Sequence, residues 1–309
     1  MNKNSKIYIA GHRGLVGSAI VRQLEKDGFH NFLLRTKSEL NLLDQASTFE
    51  FLRKEKPEFV FVAAARVGGI SANMNHLGSF LYENLQIQNN VIEGSRIAQV
   101  KKLLFLGSSC IYPKQAINPI TEDQILAGPL EPTNEGYAIA KIAGIRMCQF
   151  YRKEYGCDFI SAIPNNLFGI NDNYSPEGSH LIPALIRKVH EAKVNSQKSI
   201  EIWGSGKPRR EFMLSDDCAE ALVFLMESYS ENEPINIGLG EDFSVLEIAQ
   251  RVAKVLQVDL EFKLNPSKPD GMMRKLLNVE RIQKLGWRPR TTFEDGIAIA
   301  YEQFKKTCS

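Results

Sequence analysis

The sequence predicts an α/β fold: a Rossmann-like doubly wound parallel sheet with a smaller C-terminal α/β substrate lobe. Three observations predict it. Short apolar runs alternate with longer amphipathic ones as far as residue 169, the pattern of a parallel sheet covered on both faces. A glycine triplet stands between the first apolar run and the first amphipathic one. After residue 169 the texture changes, beginning with the polar, turn-forming "INDNYSPEGSH".

The elements follow in order. "KIYIA" (6–10), "FLLRT" (32–36), "EFVFVAAA" (58–65), "KLLFLGSS" (102–109) and "DFISAIPNNLFG" (158–169) are short, rich in β-branched or aromatic residues, and bounded by turn signals. They read as buried strands. Between them, 15–27, 45–55, 79–98 and 134–155 place apolar residues three and four apart and read as helices. Beyond 169 the pattern gives a helix at 181–193, a strand at "SIEIWG" and the loop "GSGKPRREF". A helix at 215–228 follows, then strands at "INIG" (235–238) and "VDLEFKL" (258–264) flanking a helix at 244–256, and a last helix near 294–306. The expected division is residues 1–169 for a nucleotide-binding domain, to which 213–238 returns, and 170–309 mainly for the second lobe. Ligands of such sheets bind at the carboxyl ends of the strands.

Composition narrows the function. The 309 residues hold 38 Lys and Arg against 36 Asp and Glu, a net charge of +2, so nothing points to a nucleic-acid surface. The apolar run before Gly11 has four residues, too short for a secretory signal, and no run approaches the roughly 20 residues of a membrane span. Five cysteines, at 110, 148, 157, 218 and 308, are scattered without a C-x-x-C pair. Neither a disulfide framework nor a zinc site is expected, and reduced thiols fit a cytoplasmic protein. No histidine falls at ligand spacing with a carboxylate, so no metal is expected.

"YIAGHRGLVGSAI" sets Gly11, Gly14 and Gly17 between strand and helix. Glycine permits the tight turn and the close approach of a pyrophosphate to the helix N-terminus, where free N–H groups favour negative charge. His12, Arg13, Leu15 and Val16 complete this cofactor loop. Cofactor choice is set near the end of the second strand, where NAD binders carry an acid for the ribose hydroxyls. This chain has Arg35 and Lys37 there, with Arg13 in the loop. Cations in reach of the adenosine ribose favour a 2′-phosphate, hence NADP(H). Asp44 reads either as an adenine contact or as a helix N-cap.

"EPTNEGYAIAKIAG" holds Tyr137 and Lys141 four apart on one helix face. A lysine near a phenol favours the phenolate and is expected to lower the tyrosine pKa, suiting it to proton transfer. Ser108 stands at the end of the preceding strand. Cys110 lies two residues on and points the same way as Ser108 if the chain is still extended there. Read alone, Cys110 is a small buried apolar residue and His180 a helix-start residue.

Glycine loop, strand-end serine and Y-x-x-x-K together resemble the extended short-chain dehydrogenase/reductase family. "GHRGLVGSAI", "AARVGGI", "LFLGSSCIYPK", "EPTNEGYAIAKIAG", "NNLFG", "SHLIPALIRK", "WGSGKPRREF" and "SKPDG" are similar to the motifs of its GDP-L-fucose synthase family, the 3,5-epimerase-4-reductases of GDP-4-keto-6-deoxy-D-mannose. The resemblance runs from Gly11 to about Gly286. It implies a GDP-linked 4-keto sugar as substrate, with Cys110 as base and His180 as acid for inversion at carbons 3 and 5. The 4-keto group acidifies those C–H bonds. Ser108 and Tyr137 would hydrogen-bond the 4-oxygen. NADPH would deliver hydride to carbon 4, Tyr137 would protonate the oxygen, and Lys141 would hold the nicotinamide ribose.

The resemblance implies further contacts. Leu106, Gly107, Pro164, Asn165, Asn166, Leu167 and His180 would border the cofactor. Lys188, Trp203, Arg210 and Asp270 would hold the GDP part. Three departures stand out: Lys188 where arginine is common, Asn165 for a common threonine, and Gly136 for the proline often found before the tyrosine. A homodimer through 79–98 and 134–155 is implied by analogy. Alternatives are the same chemistry on another GDP-4-keto sugar such as a GDP-heptose, epimerase or reductase activity alone, and a non-catalytic dinucleotide-binding regulator.

Overall fold

The computed structural model describes residues 1–176, 178–268 and 270–308; Glu177 of the polar loop, Pro269 of "SKPDG" and Ser309 lie outside the described residues. The first half of the chain runs β1 (Ile7–Ala10), α1 (Leu15–Lys26), β2 (Phe32–Leu33), α2 (Gln45–Glu55), β3 (Phe59–Val62), α3 (Ile70–Asn75), α4 (Leu77–Ile97), β4 (Lys102–Leu106), α5 (Glu135–Tyr155) and β5 (Phe159–Pro164). The second half runs β6 (Asn166–Phe168), α6 (Leu181–Val194), β7 (Ser199–Trp203), β8 (Arg209–Arg210), β9 (Phe212–Leu214), α7 (Ser215–Ser228), β10 (Ile235–Ile237), β11 (Phe243–Ser244), α8 (Val245–Val255), β12 (Glu261–Asn265), β13 (Arg274–Lys275), α9 (Glu280–Lys284) and α10 (Phe293–Cys308).

Six strands form one parallel sheet in the order β10-β5-β4-β3-β1-β2. Every residue of β1, β4 and β5 is buried, because helices cover both faces. On one face α1 packs with α7; on the other α4 packs with α2 and α5. Burying side chains such as Ile9, Leu104 and Ile160 stabilises this core by about 1.5–3 kcal/mol each. The order reverses between β1 and β3, which opens a crevice at their carboxyl ends. A second cluster of buried residues gathers α6, α8 and α10 around Ile186, Ile248 and Ile297.

Several expectations change. The run 158–169 is two strands rather than one. Pro164 has no N–H to donate, and the Asn165 N–H makes the last rung to β10, at the Ile237 carbonyl 2.9 Å away. The chain then leaves the large sheet, and β6 pairs with β9 instead. β2 keeps only Phe32 and Leu33, the two residues that face a partner on β1. "KLLFLGSS" ends as a strand at Leu106, and Ser109–Ile111 is a 3-10 turn. The short α3 and the two-residue strands β8, β11 and β13 carry too few residues to show a period.

Candidate active site

The glycine loop closes on itself. Gly11 has φ +84°, and a Cβ there would meet the Ala64 nitrogen at 2.7 Å. A Cβ at Gly17 would overlap the Gly11 carbonyl oxygen. The Gly14 N–H donates to Gly11 O at 3.0 Å, and α1 starts at Leu15 and Val16 with no side chain capping its first turn. Backbone donors are therefore left for an anion. Beside them a cavity of about 610 Å³ is lined by Gly11, His12, Arg13 and Gly14 on one side and Arg35, Thr36, Lys37 and Ser38 on the other. His12 Nδ1 is buried without a partner. Bare backbone donors, a cradle that any Cβ would fill and three nearby cations fit a phosphorylated dinucleotide.

Within this groove Arg35 lies over the Phe51 ring, 5.4 Å from its centroid, and donates to Leu34 O at 3.0 Å. Arg13 and Lys37 are exposed. Asp44 is drawn into the helix cap: one carboxylate oxygen accepts from the Ala46 N–H at 3.0 Å and the Ser47 N–H at 3.4 Å, the other from Ser47 Oγ at 2.7 Å. These bonds hold its carboxyl below the usual range. They show Asp44 as the N-cap of α2, the second of the two roles its position allowed.

Ser108, Cys110, Tyr137 and Lys141 come together at the carboxyl end of β4. The Ser108 hydroxyl caps the turn that follows, accepting from the Cys110 N–H at 3.4 Å, and stands 2.7 Å from Cys110 Sγ. Thus the two side chains meet because of the turn and its cap, not because the strand stays extended. Gly107, buried beside them, donates its N–H to the Ala162 carbonyl at 2.8 Å, and a Cβ there would come within 3.1 Å of the same oxygen. Tyr137 and Lys141 lie in the first two turns of α5. Gly136 brings that end of the helix against α4, where a Cβ would overlap the Leu77 carbonyl oxygen.

Lys141 donates to Leu106 O at 2.7 Å and lies 5.7 Å from the Tyr137 ring centroid. Burial lowers its pKa to about 8, partly opposed by the Cys110 charge. Tyr137 departs from expectation: burial, then the Cys110 charge, push the phenol well up, and the Ser108 hydrogen bond pulls it back only partly. Without ligand the phenol stays protonated, a proton donor in waiting.

Pro164, Asn165, Asn166 and Leu167 form the joint between β5 and β6. Both polar side-chain atoms of buried Asn165 lack a partner, while Asn166 donates to Glu211 O at 2.9 Å. His180 precedes α6 as its N-cap residue and bonds no backbone N–H with its ring. The residue is exposed, yet desolvation of its ring and then the Lys275 charge lower its pKa.

Lys188 donates to Glu201 O at 3.1 Å and sits 6.0 Å from the centroid of Trp203, which is 60% exposed and also faces Lys268 at 5.1 Å. Asp270 accepts from the Ser205 N–H at 2.7 Å and Ser205 Oγ at 2.8 Å. These bonds hold its carboxyl low and pin the 204–206 loop beside Trp203. Arg210 is half-buried and pairs in register with Lys275.

Three charged residues of this region escaped the sequence reading. Lys275 interacts electrostatically with Cys110, Arg210 and Glu131, and with His180. Glu39 accepts from the Thr36 N–H and hydroxyl, both at 2.8 Å, within the field of Arg35 and Arg13. Glu211, fully buried, takes the Gly240 N–H at 2.7 Å and the Leu277 N–H at 3.0 Å, and burial raises its carboxyl to about 7. The basic pairs "RR" (209–210) and "RK" (274–275) were the one available signal. Among the described residues no group of His, Cys, Asp and Glu is arranged to hold a metal ion, and no helix is long and apolar enough to cross a membrane.

Residues 7–238 match the model of the NAD dependent epimerase/dehydratase family. A GDP-L-fucose synthase of Sinorhizobium fredii is 52% identical over 299 residues, covering 97% of this chain and 95% of that protein. Among solved structures, a GDP-6-OMe-4-keto-L-xylo-heptose reductase from C. jejuni superposes with a TM-score of 0.93 at 40% identity, covering 99% of each chain. A GDP-mannoheptose C4 reductase from Campylobacter jejuni with NADP bound superposes with a TM-score of 0.90 at 41% identity, again covering 99% of each chain.

Proposed function

The chain belongs to the NAD dependent epimerase/dehydratase family and, within it, to the GDP-L-fucose synthases, and we propose that it converts GDP-4-keto-6-deoxy-D-mannose to GDP-L-fucose. The reaction is epimerisation at carbons 3 and 5 followed by NADPH-dependent reduction at carbon 4. The observation that carries this reading is the placement of the Cys110 thiol 2.7 Å from Ser108, inside a Ser-Tyr-Lys reductase site. A reductase alone has no use for a thiol there.

The residues act in turn. Cys110, as thiolate, removes the proton from carbon 3 or carbon 5, which the adjacent carbonyl has acidified. The charge that develops on the 4-oxygen is met by the Ser108 and Tyr137 hydroxyls. His180 returns a proton to the opposite face of the carbon, which inverts the centre. The chemistry supplied by bound NADPH is hydride donation to carbon 4. Tyr137 then gives its proton to the 4-oxygen, so its raised pKa in the empty site keeps that proton available. Lys141 holds the nicotinamide ribose and, once charged, stabilises the phenolate that remains. Leu106, Gly107 and the 164–167 joint border the nicotinamide, and Arg13, Arg35 and Lys37 receive the 2′-phosphate. Lys188, Trp203 and Arg210 hold the GDP moiety, with Asp270 shaping the loop beside them. Cofactor binding rests on 1–169 with 213–238, and substrate binding mainly on 170–309.

Incubation with NADPH and GDP-4-keto-6-deoxy-D-mannose, followed by NMR of the product, tests this directly. The expected product is GDP-L-fucose; a product with unchanged configuration at carbons 3 and 5 refutes the epimerase role. The likeness to GDP-heptose reductases at 40% identity favours one second reading, the same chemistry on a GDP-4-keto heptose. Parallel assays with both sugars separate the two.

The protein also forms a homodimer in this reading. Tyr82 on α4 and Ile139 and Phe150 on α5 are exposed apolar residues on the two helices that pack together on that side of the sheet. Light scattering should give twice the 34.8 kDa chain mass, and Phe150→Glu should return it to a monomer. The four described thiols, Cys110, Cys148, Cys157 and Cys218, are unpaired, which suits the reducing cytoplasm where we place it.

A further inference from the structure

We propose that Glu211 is a positioning residue for substrate binding: its buried carboxyl group ties the strand that carries Arg210 to the rim of the large sheet, and so holds Arg210 where the GDP moiety binds. This rests on the reading above, in which Arg210 holds the GDP part.

The mechanism leaves Glu211 without a task, yet its burial calls for one. The residue is fully buried, and a carboxyl group taken out of water is costly unless its oxygens are met. Here backbone from two distant segments meets them. The Gly240 N–H donates to Oε1 at 2.7 Å and the Leu277 N–H to Oε2 at 3.0 Å. The basic side chains next to it are taken by another carboxylate: Asp242 holds Arg209 Nε at 2.9 Å and Arg274 Nε at 2.6 Å. Glycine leaves the room, since a Cβ at Gly238 would overlap Glu211 Oε1.

The segments joined in this way belong to different parts of the fold. Gly238 and Gly240 follow β10, the edge strand whose Ile237 carbonyl takes the Asn165 N–H of the cofactor joint. Leu277 follows β13 and forms a parallel bridge to Ile120. Glu211 itself stands between β8 and β9, and its own carbonyl accepts from Asn166 Nδ2 at 2.9 Å, a second link to that joint. One residue thus fastens both flanking segments with its side chain and the joint with its main chain.

Arg210 is the residue before it. Its Nη1 donates to Arg209 O at 2.8 Å, and a Cβ at Gly271 would stand 3.5 Å from its Nη2, which places the guanidinium beside the segment that carries Asp270. β8 has two residues and pairs with two-residue strands on either side, β11 and β13. Ladders this short fix a strand weakly, so the place of Arg210 depends on what anchors its ends. Glu211 supplies that anchor.

Calorimetry of GDP binding to the full-length protein tests this in wild type, Glu211→Gln, Arg210→Ala and the double variant, with NADPH binding as the check on folding. The pH is set above the value of about 7 to which burial raises this carboxyl. Glutamine keeps the size but turns a donor toward one of the two N–H groups, which releases that segment. Glu211→Gln should weaken GDP about tenfold and leave NADPH affinity within about twofold. KM for GDP-4-keto-6-deoxy-D-mannose should rise by the same factor with kcat little changed. A glutamate that served stability alone would lower the folded fraction and leave the affinity of the folded protein intact. Because the effect passes through Arg210, the double variant should bind GDP as Arg210→Ala does, within about twofold. Unchanged GDP affinity in folded Glu211→Gln, or losses that add in the double variant, overturn the proposal. If Arg210→Ala binds GDP as wild type does, the reading of Arg210 fails and the proposal with it; if only Glu211→Gln is neutral, the proposal alone fails. Should Glu211→Gln not fold, hydrogen exchange of the wild type decides. GDP should slow exchange in peptides that span 239–240 and 276–277, and unaltered exchange in both overturns the proposal.

Discussion

Ser108 Oγ lies 2.7 Å from Cys110 Sγ while also accepting the Cys110 N–H. One hydroxyl thus shapes the turn that presents the thiol and stands where the 4-oxygen of a keto sugar would need a donor. Replacing it should harm both halves of the reaction. Ser108→Ala is expected to slow deuterium entry and NADPH oxidation alike, each by about 10²–10³-fold. Cys110→Ala should abolish deuterium entry yet leave NADPH affinity within a factor of about two, as read by fluorescence titration. Undiminished exchange would remove Cys110 from the mechanism.

Tyr137 and Lys141 should separate the two activities the other way. Tyr137→Phe is expected to cut NADPH oxidation by about 10²–10⁴-fold while carbons 3 and 5 still exchange. Lys141, with its pKa lowered to about 8, loses its charge as pH rises through that value. Reduction should therefore decline on the alkaline side of about pH 8 in rapid-mixing kinetics. Stability follows the opposite course. Between about 8 and the unfolded value of 10.5 only the unfolded chain holds this proton, so this group makes the empty protein gain stability as pH rises across that window.

Arg13 and Arg35 should read the 2′-phosphate. Arg35→Ala is expected to weaken NADPH by about tenfold or more and leave NADH almost unchanged in calorimetry. Glu39 supplies an opposing charge in the same groove. Glu39→Gln should tighten NADPH by a few-fold, an effect that high salt screens. Equal changes for the two cofactors would place these charges away from the phosphate.

Gly136 is a steric test of the α4–α5 contact. Gly136→Ala puts a methyl group into the Leu77 carbonyl, at an expected cost of about 1–3 kcal/mol in urea unfolding. Because Tyr137 is the next residue, kcat for reduction should fall as well. A variant of wild-type stability would show that the two helices part without penalty.

The sequence disclosed what local spacing encodes. The glycine loop, the Tyr137–Lys141 turn and the alternation that builds the large sheet all follow periods of two or about four residues. Lys275 lay beyond this reach: it meets Arg210 through two-residue strands 65 positions apart, and no period survives in a pair so short. The Tyr137 titration was misjudged because the pair spacing is local whereas burial belongs to the whole packed site. For Asp44 the capping role shows only in the geometry of its oxygens, which the sequence does not carry. The break at Pro164 was visible as a residue but not as a change of sheet, since the partner of β6 lies near residue 213.

That change of sheet bears on how the molecule can be dissected. The chain leaves the large sheet after β5, comes back to it with α7 against α1 and β10 at its edge, and leaves it again before α8. A fragment ending at residue 169 would lose the edge strand β10 and the helix that covers α1, baring the large-sheet core where Leu222, Leu225 and Ile237 now lie fully buried. Such a fragment should aggregate on expression instead of yielding a minimal cofactor-binding module. Exchanging the later part of the chain between relatives would therefore require several matched joints, not one fusion point.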